Sequence, residues 1–228
     1  MLIFTSSLAL ADCMAGSLSV APAVGAEVPT RPELVLHAYG TERATVADLS
    51  SGDLALQARD GAPVPVEIVA VHRGSFTDTQ VVFRPTAELP PGRYELRLRG
   101  EAKELWTGEA RKPAHWVVTG ASAQAPTWSG TPSVTSTDRT LFGCGPGVSV
   151  AVAVPVDAPW VEVSVARDGA DPVTARAEVS DGRIELGHGM CSGMLELDEG
   201  VAYTARLTAV SASGQRASAP SEVRFTAP

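Results

Sequence analysis

The stretch VSVAVAV at residues 148–154 decides the fold class, because every second residue is valine and the residues between are small. Side chains of an extended chain point alternately to two faces, so this stretch predicts a strand that buries a row of valines. Residues 161–165, VEVSV, and residues 201–209, VAYTARLTA, repeat the pattern. We therefore expect antiparallel strands that cover a shared core.

The same alternation, interrupted by residues that favour turns, extends through the rest of the chain. Short apolar runs predict further strands at 34–36, 64–71, 81–83, 94–98, 184–186 and 223–225. Turns are expected at the three Asp-Gly steps that begin at Asp60, Asp168 and Asp181, where glycine adopts a positive φ at little cost. The 17 prolines disfavour helices and are tolerated at turns and strand edges. The fold class is therefore predicted to be all-β.

A change of composition divides the chain into two parts. Residues 116–118, WVV, have the pattern of a closing strand, and GASAQA at 120–125 is small and featureless. The flanking segments, 12–119 and 126–228, each have about 100 residues, the usual length of one β-sandwich. We predict two tandem immunoglobulin-like or fibronectin-like sandwich domains joined by a linker at 120–125.

Each half contains a similar Leu-turn-Tyr element. The first is LPPGRY at residues 89–94 and the second is LDEGVAY at 197–203. In β-sandwiches a tyrosine that opens a late strand packs inside, and its hydroxyl bonds the backbone across the preceding turn. Both elements are interpreted as tyrosine corners.

Two family resemblances follow from these motifs. The segments GAEVPT at 25–30, VFRP at 82–85 and LPPGRY at 89–94 resemble a bacterial Ig-like domain, over residues 17–119. Residues 126–228 resemble a fibronectin type III domain, through YTARLTAV at 203–210 and the SAPS that precedes the last strand. The resemblance implies a spacer or binding module, and it implies that Trp160 fills the place of the family's core tryptophan.

The first residues have features of an export signal. Residues 1–11 are mostly apolar and end in the small-x-small pattern Ala9-Leu10-Ala11, but no basic residue precedes them. They are interpreted as a signal peptide, whose true start lies upstream or whose signal is weak. The alternative is that Leu2–Phe4 forms the first strand. Export would place the protein in the periplasm, on the outer surface or in the medium.

The three cysteines leave an odd one in an exported chain. In a fibronectin-like topology Cys144 and Cys191 fall in loops at the same pole of the sandwich, and we predict a disulfide between them. Cys13 is then unpaired, unless it bridges two chains or replaces one of the other two. A lipid anchor at Cys13 is disfavoured, because the charged Asp12 precedes it where a lipidation signal has a small uncharged residue.

No constellation of catalytic or cofactor-binding residues is found in the sequence. There is no nucleophile elbow, phosphate loop or dinucleotide fingerprint, and no His or Cys spacing suited to zinc. His188 lies near Cys191, which we interpret as a loop beside a disulfide rather than a nucleophile pair. Asp168 and Asp171 together supply fewer than the roughly six to eight oxygen ligands that calcium takes, so we assign them to a turn. We predict no enzyme activity, no cofactor and no metal.

The net charge of −8 disfavours nucleic acid as a partner. No apolar run approaches the roughly 20 residues of a membrane span. The predicted function is a non-catalytic, exported module that binds a protein or an envelope component through loops at one pole or through a sheet edge. The alternative is carbohydrate binding by exposed members of the four tryptophans, Trp106, Trp116, Trp128 and Trp160.

Overall fold

The computed structural model describes residues 16–107, 110–121, 124–142 and 145–228. The segment interpreted as a signal peptide, Cys13 and Cys144 lie outside the described residues, so the predictions about them stay predictions. Nearly all of the regular structure is β, which confirms the predicted fold class.

The first sandwich contains the strands of residues 17–118. They are β1 (Ser17–Ala21), β2 (Glu27–Val28), β3 (Leu34–Tyr39), β4 (Leu54–Ala58), β5 (Pro63–Arg73), β6 (Asp78–Pro85), β7 (Gly92–Leu98), β8 (Glu101–Ala102), β9 (Glu104–Thr107), β10 (Ala110–Pro113) and β11 (His115–Val118). A short helix, α1 (Glu42–Ala47), and a 3-10 turn, Ser51–Asp53, follow β3.

The hydrogen-bonded order in this sandwich is β1-β3-β6-β5-β4-β7-β11-β2, with β8 beside β7. Strand β5 belongs to both layers, because its residues 63–65 pair with β4 and its residues 66–73 pair with β6. A bulge between Ile68 and Ala70 marks the second of these pairings, and bulges bend a strand and raise its twist. The two layers enclose a core that includes Leu36 and Phe83 from one side and Leu96 and Trp116 from the other.

The second sandwich contains the strands of residues 133–226. They are β12 (Ser133–Phe142), β13 (Gly145–Ala153), β14 (Trp160–Arg167), β15 (Val173–Glu178), β16 (Arg183–His188), β17 (Ala202–Val210) and β18 (Ser221–Thr226). One sheet has the order β12-β13-β16 and the other has the order β15-β14-β17-β18. This three-plus-four arrangement is the topology that the fibronectin resemblance implies. The alternating residues of 148–154, 161–165 and 203–207 form the core between the sheets, as predicted.

Both tyrosine corners are confirmed. Tyr94 is buried and its hydroxyl donates to the carbonyl of Pro90 at 3.1 Å. Tyr203 is buried and its hydroxyl accepts a hydrogen bond from the backbone N–H of Asp198 at 2.9 Å. Each bond closes the turn before a strand that crosses the core, which fixes where that strand begins.

The Asp-Gly turns are confirmed in part. Gly169 and Gly182 adopt φ values of 77° and 70° in the turns after β14 and before β16. Gly61 is also in a turn, but it is not among the residues with positive φ, so that part of the prediction is wrong. Helix α1 was not expected either. Its residues lack the strand alternation, and it contributes Val46 to the first core.

The two sandwiches pack side by side through a sheet face of each. Val35 on β3 and Val82 on β6 point away from the first core and contact Trp160 on β14 and Val210 on β17. The layer of the first sandwich that contains β3 and β6 is therefore buried on both faces. Trp160 lies in this interface and not in the second core, so the role predicted for it is wrong. It is the first residue of β14, with its side chain on the outer face.

Candidate binding surface

A buried ion pair joins the two domains beside the apolar contact. Nη1 of Arg176 on β15 donates to Oε2 of Glu33 at 2.9 Å, and the side chains are 0% and 1% exposed. The side-chain amide of Gln80 on β6 makes two hydrogen bonds to the backbone of Arg176. Gln80 Nε2 donates to the carbonyl of Arg176 at 2.9 Å, and Gln80 Oε1 accepts from the N–H of Arg176 at 2.8 Å. Edge strand β15 is thus hydrogen-bonded to the face of the first sandwich.

Further charges surround this pair at the rim of the interface. Glu162 Oε2 lies 2.9 Å from Arg216 Nη2 and 3.4 Å from Arg176 Nη2. Burial alone would raise the pKa of Glu162, but the hydrogen bond from Arg216 and the charges of the two arginines hold it below its usual value. His72 on β5 faces the same cluster. Burial, with the two arginines, lowers the pKa of His72, although Glu162 opposes the shift.

The hairpin between β5 and β6 is fixed against the loop that follows β16. Ser75 N–H donates to the carbonyl of Met194 at 2.9 Å, and Thr77 Oγ1 donates to the carbonyl of Cys191 at 2.7 Å. The ring of Phe76 stacks on His188 with centroids 4.1 Å apart. Parts of both domains therefore form one continuous surface at this end of the molecule.

The exposed apolar side chains are concentrated beside this contact. Within the described parts of the chain, the large hydrophobic residues that are exposed are Leu141, at 72%, and Phe142, at 45%. They end strand β12, where neighbouring side chains point to opposite faces. We call the surface formed by Phe76, Leu141, Phe142, His188 and Met190 the hairpin pole. A depression of about 310 Å³ lies within it, between Phe76 and Met190.

A second depression, of about 290 Å³, lies on the outer face of the β12-β13-β16 sheet next to the hairpin pole. Its lining includes the glycines Gly147, Gly187, Gly189 and Gly193. A Cβ at Gly187 would lie 2.0 Å from the carbonyl oxygen of Val148, so no larger residue fits there. Because four glycines line it, we call this depression the glycine cleft. Asp138, Phe142 and Glu185 also line it.

The structure brings together only part of what the sequence predicted as a site. Cys191 lies in the loop after β16, as expected, while Cys144 and Cys13 are outside the described residues, so the Cys144–Cys191 disulfide stays a prediction. Gly147 on β13 lies close to Gly189 at the start of that loop, since a Cβ at Gly147 would lie 3.4 Å from the Cα of Gly189. The ring of His188 stacks on Phe76, and its Nδ1 lies 2.8 Å from the carbonyl oxygen of Gly189.

The tryptophans are mostly internal. Trp116 is in the first core and Trp160 is in the domain interface. Trp128 is partly buried, and its indole N–H donates to the carbonyl of Ala219 at 3.1 Å. The side chain of Trp106 lies outside the described residues. No described tryptophan offers the exposed ring that the carbohydrate alternative requires.

Sequence reasoning missed strand β12, which carries the exposed residues. Its residues are exposed from Thr135 to Phe142, so no alternation between buried and solvated positions is present. The signal that could have found it is composition, since threonine, valine, leucine and phenylalanine favour strands. Across the residues described, no helix could span a membrane, and no group of His, Cys, Asp and Glu could hold a metal.

Comparisons with known proteins give neighbours of similar architecture and no family. No family model matches the sequence, and no curated protein matches it. Among solved structures, a two-domain fibronectin type III segment from chicken tenascin is 15% identical with a TM-score of 0.26, covering 92% of this chain and 97% of its own. The human OSCAR ligand-binding domain is 13% identical with a TM-score of 0.25, covering 92% and 97%.

Bacterial enzymes also match over part of their own length. The pullulanase type I from Bacillus subtilis is 8% identical with a TM-score of 0.27, over 88% of this chain. The chain spans only 24% of that enzyme. At these TM-scores the alignments carry no argument about function, and the fold assignment rests on the sheet order described above.

Proposed function

We propose that this chain is a non-catalytic, exported module that binds a protein partner through the hairpin pole. The observation that carries the proposal is the exposure of Leu141 and Phe142, which are the exposed large hydrophobic side chains among the residues that the structure describes. Exposed aromatic and aliphatic side chains on a rigid support are typical anchors of protein interfaces.

The rigid support comes from the domain interface. Hydrogen bonds from Ser75 and Thr77 hold the first domain's hairpin against the second domain. The buried Arg176–Glu33 pair lies in the same interface between the domains. A surface that both domains build keeps its shape on binding, and a partner then meets little cost of ordering loops.

Position-specific photocrosslinking tests the binding proposal in cells that express the chain. A photoreactive residue at Phe142 should give a discrete adduct with one protein, and the same residue at Arg224 should not. Arg224 is the matched control because it is exposed on β18 of the opposite sheet. Leu141→Ser should reduce the yield at position 142. Equal adducts at both positions, or none at position 142, would contradict the proposal.

Export and the disulfide form a separate part of the proposal. Their support is the sequence of residues 1–11 and the closeness of Gly147 on β13 to Gly189, which begins the loop that contains Cys191. Peptide mapping without reduction should recover Cys144 linked to Cys191 from an envelope or culture-medium fraction. Recovery of both cysteines as thiols from the cytoplasm would contradict this part and leave the binding proposal standing.

A further inference from the structure

Among the strands that the structure describes, β12 is a sheet edge without a partner on its outer side. Its hydrogen-bonded neighbour is β13, with a regular register from Ser136 opposite Ala151 to Phe142 opposite Gly145. In an antiparallel pair, alternate residues direct their backbone N–H and C=O groups away from the partner strand. On an edge strand these groups are available to a further strand.

The features that usually protect an edge are weak over this part of β12. The bulge between Val134 and Ser136 lies before the segment with regular register. Arg139 is the one basic residue of the strand, and its Nη2 lies 3.1 Å from Glu199 Oε2. Arg139 faces away from the glycine cleft, since it lines the depression at the hairpin pole instead. Thr137, Thr140 and Phe142 favour strand pairing.

The charge of the glycine cleft selects the kind of side chain that an added strand would carry. Asp138 and Glu185 line the cleft, and no lysine or arginine is among its described lining residues. Thr140 Oγ1 donates to Asp138 Oδ2 at 2.8 Å, which orients that carboxylate on the cleft side of β12.

Distance restricts the choice further. A side chain from a strand beside β12 has to cross one strand spacing, about 4.8 Å, before it reaches the cleft. Lysine and arginine are long enough to cross this distance and deliver a positive charge. Phe142 also lines the cleft, and the face of an aromatic ring attracts a cation.

We propose that β12 accepts an extended basic peptide as an additional strand, with a lysine or arginine side chain in the glycine cleft. This inference rests on the proposed function and names the partner's chemistry: a protein with an exposed, extended segment in which basic residues alternate with β-branched ones. Backbone hydrogen bonds supply affinity in this mode, and pockets for alternate side chains supply specificity.

A synthetic peptide provides a direct probe with the full chain. The probe is a labelled heptapeptide of alternating valine and lysine, and its first control replaces lysine with glutamate. The second control keeps the lysines and N-methylates alternate amides in each of the two frames. We expect the lysine peptide to bind at least tenfold more tightly than the glutamate peptide, and one N-methylated frame to lose binding.

Hydrogen exchange and paired variants locate the site. Binding should slow amide exchange in residues 136–142 and leave the opposite edge strand, β18, unchanged. The double variant Asp138→Asn, Glu185→Gln should weaken binding about tenfold, while Glu222→Gln, an exposed carboxylate on β18, should not. These substitutions lie at the surface and keep the side-chain volume, so folding is preserved.

Three results would overturn the inference. They are equal binding of the lysine and glutamate peptides, binding without slower exchange in β12, and protection of β12 by a second copy of this chain at high concentration without any peptide. If photocrosslinking at Phe142 still captures one protein in any of these cases, the proposed function stands and only the strand-addition inference is lost.

Discussion

Replacement of Arg176 by alanine should destabilise the whole chain. The substitution removes the donor that lies 2.9 Å from Glu33 Oε2 and leaves a carboxylate that is 1% exposed. Removing one partner of a buried ion pair costs about 3–5 kcal/mol, because the remaining charge is neither hydrated nor paired. Arg84 Nη1 lies 3.8 Å from the other oxygen of Glu33 and offsets part of this loss. We therefore expect Arg176→Ala to lower the free energy of unfolding by about 3 kcal/mol.

Urea unfolding followed by tryptophan fluorescence measures this loss, because Trp160 is in the interface and Trp116 is in the first core. A loss of this size should lower the melting temperature by about 6–12 °C in a chain of this length. Arg206→Ala is the control, since Arg206 is exposed on β17 of the same sheet as Arg176, and it should change stability by less than about 0.5 kcal/mol.

The double variant Arg176→Met, Glu33→Leu separates the charge from the packing. Apolar replacement of a whole buried pair is often neutral or stabilising, so this variant should regain most of the stability that Arg176→Ala loses. If Arg176→Ala costs less than 1 kcal/mol, or no more than Arg206→Ala, the ion pair does not hold the domains together and the reasoning is refuted.

Other predictions concern the same interface and the second core. The pKa of His72 is lowered in the folded protein, so protonation of this ring favours the unfolded state. The contribution of His72 to the free energy of unfolding should be complete above the usual pKa of 6.5 and should be lost as the pH falls below it. In urea unfolding measured over a series of pH values, His72→Gln should remove this loss. Glu162 also has a lowered pKa, so a second loss is expected as the pH falls below 4.5, and its persistence in Glu162→Gln would contradict the assignment. Trp160→Ala should cost about 3–5 kcal/mol by calorimetry, and a value near that of a surface substitution would show that the apolar contact is not closed in solution. Tyr203→Phe should cost about 1 kcal/mol through loss of one hydrogen bond, and an unchanged unfolding midpoint would argue against the corner's role.

The architecture was largely predictable from the sequence, because burial with a period of two is a local property. The valines of 148–154 and the residues around Tyr203 alternate, since one face of each strand meets the core and the other does not. The Leu-turn-Tyr elements were also predictable, since each hydroxyl and its backbone hydrogen-bond partner are close in sequence. In each case the residues that determine the structure lie within a few positions of one another.

The domain interface and the binding surface were not predictable by the same reasoning. Val35 and Val82 alternate with core residues, and nothing local shows that their face is covered by a second sheet. Arg176 and Glu33 are 143 positions apart, and each alone has the pattern of a solvated residue. Strand β12 was missed because an edge exposed on both faces has no alternation. Long-range contacts decide these features.

The layer of β3 and β6 that is covered on both faces has a consequence for how the chain can be inherited. If the two sandwiches were separated at the segment between them, Val35, Val82, Trp160 and Glu33 would become exposed to solvent. Each fragment would then tend to aggregate through its exposed apolar patch. Recombination between genes would then retain both halves or neither. The unit of exchange in evolution, and the smallest fragment worth expressing, is the pair.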